Sequence, residues 1–234
     1  MATDSYNFET YYRDISDATR ATFPNSSPRV GEPAPAFQLP LVGGGTADLV
    51  ELLSKGHVVL IFGCITAPPC MAQLPALESL HRTYGGRSFS FLFIYTREIH
   101  PGENFPPHRT LGQKLDHASR MKDYARITFG VAVDDVQGTT HRGYGGLPSM
   151  ACVVHRDGTL IYRGSWTDAG MIREVLENGL QRDRAERVAR PDRIGYHEWI
   201  KYMARDKDPT AKILDIAGPK ARADYERENG LPRS

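Results

Sequence analysis

Cysteine is scarce in this chain, neither sign of charge is in excess, and no apolar run is long. Each shortage removes a class of protein. Three cysteines, Cys64, Cys70 and Cys152, among 234 residues cannot form the framework of a disulfide-stapled secreted domain. The opening MATDSYNFET has neither a basic flank nor an apolar stretch of the signal-peptide kind, so the expected location is cytoplasmic. Lys and Arg number 29 against 28 Asp and Glu, which leaves no electrostatic footprint for a nucleic acid or an anionic lipid surface. The most apolar stretches, around residues 58–62 and 89–95, fall far short of the ~20 residues that cross a bilayer. Neither nucleic acid nor membrane is an expected partner.

The chain is 40% hydrophobic and 24% charged and carries 22 Gly and 16 Pro, the profile of a loop-rich globular protein. Its length fits one core with extensions. Residues 1–29 read as an N-terminal helical arm, because Phe8, Tyr11, Tyr12 and Ile15 follow helical spacing until Pro24 and Pro28 end it. Residues 181–234 hold 13 Lys/Arg and 10 Asp/Glu and read as a charged extension. Its apolar residues Tyr196, Trp199, Ile200, Met203, Ile213 and Ile216 recur at helical spacing. They predict short amphipathic helices that pack on the body or on a second subunit, the latter giving a homodimer through the terminal extensions.

Residues 30–180 alternate regularly. The runs HVVLIFGC (57–64) and SFSFLFIY (88–95) predict strands buried on both faces, and Leu74, Leu77 and Leu80 place a helix over 71–84 between them. A helix over 111–125, a short strand at 131–133, a hairpin of strands 150–155 and 159–164 turning at Asp157-Gly158, and a closing helix over 167–180 complete the pattern. Strand, helix, strand, helix, strand, strand, helix is the thioredoxin-fold order. The expected class is therefore α/β, a central mixed sheet flanked by helices. Gly43-Gly44-Gly45 lacks the Lys-Ser/Thr of a phosphate loop and reads as a turn.

The junction between the first buried strand and its helix reads Phe62-Gly-Cys-Ile-Thr-Ala-Pro-Pro-Cys-Met71, with Pro75 further on. In thioredoxin-like proteins this junction carries Cys-x-x-Cys, whose first sulfur sits at a helix N-terminus where free N–H groups and the macrodipole favour a thiolate. Ala67-Pro68-Pro69-Cys70 matches that frame, with Ala67 where the attacking thiol belongs. Tyr144-Gly-Gly-Leu147-Pro148 resembles the loop that faces the redox motif with a cis-proline, and a cis Leu147-Pro148 bond is expected. More narrowly, Phe62-Gly63, Thr66-x-Pro68-Pro69, the segment Ile94-Tyr95-Thr96-Arg97-Glu98-Ile99-His100-Pro101, His108 and Tyr144-Gly-x-Leu147-Pro148 resemble the iodothyronine deiodinases and their bacterial relatives. The opening Val30-Gly-Glu-Pro-Ala-Pro-Ala-Phe37 is of the redoxin type.

The resemblance implies a soft nucleophile attacking a carbon-bound iodine, with a histidine or glutamate gripping the substrate and returning a proton. Glu98 and His100 match the Glu-x-His pair and His108 the substrate-gripping histidine, while alanine at 67 has no lone pair for attack. Two functional readings stand side by side. One is a thiol oxidoreductase of the deiodinase and redoxin lineage in which Cys70, with Cys64, carries the redox chemistry and a thiol reductant resets it. The other is a redox-inactive relative that keeps the pocket for binding, or for acid–base catalysis by Glu98, His100 and His108. In both, Thr66, Ala67, Pro68, Pro69, Tyr95, Leu147 and Pro148 line a pocket for a small aromatic molecule.

Cys64 and Cys70 enclose five residues, and a disulfide between them requires Cα atoms within ~7 Å. The alternative for Cys70 is an inert buried thiol, and Cys152, in MACVV, reads as core. No cofactor is expected. Nor is a metal, because His57, His81, His117, His141 and His155 show no ligand spacing along the chain.

Overall fold

The sheet is built around β3 (His57–Gly63), all seven residues of which are buried. Alternate side chains leave a strand on opposite faces. Val59 and Ile61 therefore join one apolar cluster, and Val58, Leu60 and Phe62 another. A computed structural model describes residues 6–11, 13–26, 28–86, 88–187 and 207–229. On one side β3 pairs in parallel with β4 (Phe89–Tyr95), which pairs in parallel with β5 (Gly130–Val133). On the other it pairs antiparallel with β6 (Met150–Val154), which turns at Asp157-Gly158 into antiparallel β7 (Leu160–Gly164). The sheet order is β5-β4-β3-β6-β7.

Three helices pack on the Val59/Ile61 face: α3 (Pro68–Tyr84) through Leu74 and Leu77, α4 (Leu111–Ala125) through Ala118 and Met121, and α6 (Ala169–Arg187) through Ile172 and Leu176. The opposite face is closed by the hairpin β1 (Gln38–Pro40) and β2 (Thr46–Asp48), α2 (Leu49–Lys55), and Tyr144 just after α5 (Thr139–Gly143). Gly43–Gly45 form the turn of that hairpin, as expected. The main strands and helices thus follow the alternation of the sequence. The closing helix differs at its end, running past residue 181 to Arg187, so the change in charge density falls inside a helix.

Three small elements were not anticipated: the β1–β2 hairpin, α2 and α5. Side chains accept the first amides of two of them, from the N-cap in α2 and from a residue upstream of it in α5. Asp48 accepts from Val50 N at 2.7 Å and Glu51 N at 3.1 Å ahead of α2, and Asp134 accepts from Thr140 N at 3.1 Å and His141 N at 2.9 Å in α5.

The N-terminal arm departs from expectation. Its helix α1 (Arg13–Thr22) begins after Phe8 and Tyr11, which lie in irregular chain. The reason is packing: Tyr6 and Phe8 are buried, with the Arg97 guanidinium 5.0 Å from one ring centroid and 5.1 Å from the other. In the extension, α7 (Lys207–Ala217) buries Ile213 in the main cluster and continues into α8 (Pro219–Glu228), so the described part of the tail packs on its own body. Tyr12, Tyr196, Trp199, Ile200 and Met203, and the side chain of Ile15, lie outside the described residues. Among the described residues no helix is long and apolar enough to cross a membrane.

The tail grips the loop that follows β4. Asn104 N donates to Ala217 O at 3.0 Å, Asn104 Nδ2 to Ile216 O at 3.0 Å, and Lys220 N to Glu103 Oε1 at 3.0 Å. Gly102 allows this closeness, since a Cβ there would run into the Ala217 carbonyl. Gly102→Ala should therefore lower the unfolding free energy by about 1–3 kcal/mol in urea titrations, as overpacking does. Gly112→Ala, on an exposed turn of α4 with nothing near its Cβ, should raise it by about 0.5–1 kcal/mol. Equal responses would contradict this packing.

Candidate functional site

At the end of β3 the backbone must pass close to α3. A Cβ on Gly63 would strike Cys70 Sγ and crowd Phe93, so glycine is required there. A turn over 64–67 follows, closed by Ala67 N donating to Cys64 O at 3.2 Å, and Met71 N donating to Ala67 O at 3.0 Å starts the helix. Pro68 and Pro69 occupy the first helical positions, where the proline φ fits. Neither has an N–H, so the first amide donor of this N-terminus belongs to Cys70. Position 67 is thus poorer in free donors than the junction of a thioredoxin-like redox motif is expected to be.

Thr66 ties the turn to the next strand end. Its hydroxyl donates to Glu98 Oε2 at 2.6 Å and accepts from Ile99 N at 3.0 Å and His100 N at 3.3 Å. Because that proton points at Glu98, the Cys64 thiol, 3.4 Å away, is the donor to Thr66. The other carboxylate oxygen, Oε1, accepts the Tyr95 hydroxyl proton at 2.5 Å. His117 Nδ1 lies 3.1 Å and His108 Nε2 3.2 Å from Oε1, and the two nitrogens are 3.0 Å apart. Every member of this cluster is buried. Burial alone would raise the Glu98 pKa, but the hydrogen bonds of His108 and His117 and their charge overcome it and hold the carboxyl well below its usual range. Burial pulls the His108 pKa down, against the pull of Glu98.

Several expected site residues are placed differently. His100 does not join His108 and Glu98. Its ring lies between Tyr11 and Tyr225, with centroids at 4.3 and 5.3 Å, and burial brings its pKa to about 3. Only its backbone reaches Thr66. The ring is drawn away because α8 and the N-terminal segment offer it two aromatic faces, which the Glu-x-His spacing could not convey. Cys64 and Cys70 are both free thiols, so no disulfide joins them. Burial pushes the Cys70 thiol up to about 12, and burial with the nearby Glu98 charge pushes Cys64 well above its ordinary value. Cys152, paired opposite Leu60 on β6, is core.

Nor do the expected lining residues form an open pocket. Cys64, Thr66, Ala67, Tyr95 and Leu147 are each no more than 2% exposed; Pro68 and Pro148 are buried and Pro69 is half-buried. Phe8 and Ile213 from the two chain extensions pack in the same apolar cluster as Cys64, Ala67 and Cys70.

Two residues of consequence escaped the sequence reading. His117 has no short ligand spacing to His108 or Glu98, yet it meets both; the argument from spacing fails because α4 brings it back across the site. The signal was its helical phase, since Lys114, His117, Ala118 and Met121 form the buried stripe of α4. His141 is the second. Its Nε2 donates to Leu147 O at 2.7 Å, so Nδ1 accepts the Tyr6 hydroxyl proton at 2.7 Å. This neutral ring ties the proline loop to the N-terminal segment.

The sheet order and the site at the β3–α3 junction define a thioredoxin-fold protein. A thiol:disulfide interchange protein DsbE from Chlorobium tepidum superposes with a TM-score of 0.51 at 22% identity, covering 67% of this chain and 98% of that one. Peroxidoxin BcpB from Mycobacterium tuberculosis does so with 0.51 at 18%, covering 67% and 98%. The sequence model of iodothyronine deiodinases matches residues 19–180, and the chain belongs to that family. It is 28% identical over 176 residues to human thyroxine 5-deiodinase, covering 70% of this chain and 57% of that protein. The chain thus spans little more than half the length of the curated relatives it matches.

Burial, with Arg97, Lys114 and Arg142 nearby, lowers the His141 pKa to about 3 from an ordinary 6.5. The unfolded chain then binds a proton that the folded chain refuses, so stability falls as pH drops from about 6.5 toward 3. Chemical unfolding between pH 6 and 5 should show His141→Gln removing a pH dependence of up to ~1.4 kcal/mol per pH unit. An unchanged slope would show His141 to be charged in the fold.

Proposed function

We propose that this chain performs the redox-type chemistry of its family on a small iodinated aromatic molecule, with Cys64 supplying the thiol and an external thiol reductant supplying the electrons. The supporting observation is the chain of contacts from Cys64 Sγ to the Thr66 hydroxyl at 3.4 Å and from Thr66 to Glu98 Oε2 at 2.6 Å. It ties this thiol, three residues before Ala67, to the buried carboxylate of the family's Glu-x-His segment. Cys70 meets other groups, Phe62 O at 3.9 Å and the side chains of Ser149 and Thr167. The step balances as follows. The Cys64 thiolate takes the iodine, and the electron pair of the carbon–iodine bond stays on the ring carbon, which takes a proton from the Glu98 cluster. One reductant thiol displaces iodide from the sulfenyl iodide, and a second reduces the mixed disulfide. A two-thiol reductant is thereby oxidised to a disulfide.

The second reading keeps the ligand and removes the redox step. It is favoured by Ala67 and by the buried, protonated state of both thiols. Glu98 with His108, rather than with His100, would then hold the ligand or move its proton.

Iodide release from an iodinated phenol in the presence of dithiothreitol separates the two. Cys64→Ser should abolish release, and Glu98→Gln should lower it about 10² to 10⁴ fold, the usual worth of a general acid or base. Binding of the same phenol without iodide release by the wild type would establish the second reading. Because the site is covered, Phe8→Ser should speed labelling of Cys64 by a thiol reagent several-fold; an unchanged rate would mean that access lies elsewhere.

A further inference from the structure

The triangle of Glu98 Oε1, His108 Nε2 and His117 Nδ1 poses a problem that protons alone do not solve. Its edges are 3.0, 3.1 and 3.2 Å. If both neutral imidazoles turn N–H groups inward, the nitrogens face each other as two donors. If only one does, the other nitrogen faces the carboxylate lone pair to lone pair. Oε1 is in addition already served by the Tyr95 hydroxyl at 2.5 Å. One edge is mismatched in every assignment, and in a buried cluster such a mismatch is costly. A cation lying above the triangle lets all three atoms present lone pairs at once.

We propose that Glu98, His108 and His117 form a binding site for one divalent first-row transition ion of the zinc type. The donor set of two imidazole nitrogens and one carboxylate oxygen suits such ions, whereas calcium and magnesium take oxygen shells. The dimensions agree. Metal–ligand bonds of about 2.0–2.2 Å put neighbouring donors about 3.0 Å apart in octahedral and about 3.4 Å apart in tetrahedral coordination. The observed edges of 3.0–3.2 Å match an octahedral face and are shorter than a tetrahedral one. Thr66 holds Oε2 and Tyr95 holds Oε1 of the carboxylate, as outer hydrogen bonds orient metal-bound carboxylates. The site shares Glu98 and His108 with the chemistry proposed above, but none of its ligands is a sulfur, so metal binding is read separately from iodide release.

The test uses the full chain, stripped by chelator and titrated with Zn²⁺ by calorimetry and with Co²⁺ by visible absorption. One equivalent should bind, with Co²⁺ bands of low, nitrogen- and oxygen-ligated symmetry and no thiolate charge-transfer band. His117→Gln and His108→Gln should each weaken binding more than the about 10–100 fold that follows loss of an outer partner. Cys64→Ser should leave binding in place. Circular dichroism checks that each variant folds, and His117→Asn serves if His117→Gln does not. Absence of stoichiometric binding to the folded wild type would overturn the proposal, as would affinity unchanged in both histidine variants or lost in Cys64→Ser.

Discussion

A carboxylate with almost no contact with water, Glu98, organises the part of the molecule where chemistry would occur. An ionised carboxyl at such a depth is stable only when surrounded by donors. The chain recruits them from four places: Thr66 in the turn after β3, Tyr95 at the end of β4, His108 ahead of α4 and His117 within it. Lys114, buried on the same stripe of α4 and pushed down to about 8 by burial, adds a cation to the neighbourhood. The turn at 64–67, the loop after β4 and the first turns of α4 are thereby fixed relative to one another by a single charge. Replacing any one donor would leave the others oriented toward an under-satisfied charge, so the cluster acts as a unit.

That arrangement explains how a family site can persist around a missing nucleophile. The Ala67 backbone serves the helix start whatever its side chain is, accepting from Met71 N and donating to Cys64 O. The polar residues on either side have structural duties of their own. Thr66 anchors two backbone amides of the following loop, and Tyr95 accepts the amide of Ile65 at 3.3 Å. Selection for folding alone would retain them.

The strands at the centre of the fold could be read directly because a strand buried on both faces writes an uninterrupted apolar run, as in residues 58–62 and 91–95. The β3–α3 junction was equally legible, since Pro68-Pro69 and Pro75 punctuate it. The failures share another cause. Phe8 and Tyr11 have helical spacing but are placed by the cations and rings they meet, and His100 is turned aside by Tyr11 and Tyr225. His117 was dismissed for want of short spacing although it closes the cluster. Each was decided by contacts between segments far apart in the chain, which no local pattern encodes. The β1–β2 hairpin is only three residues per strand, too short for periodicity to register.

The two ends of the chain also meet: Lys220 Nζ donates to Glu9 O at 2.6 Å and reaches Thr10 Oγ1 at 3.4 Å, with α8 against His100. Lys220 is synthesised 211 residues after Glu9. During synthesis the thioredoxin-like body can form its sheet while this clasp still lacks one half. The cover over the Glu98 cluster is therefore completed only once α7 and α8 have been made. A polypeptide lacking α7 and α8 would present its buried thiols and histidines to the surrounding solution, and one with both helices in place would not.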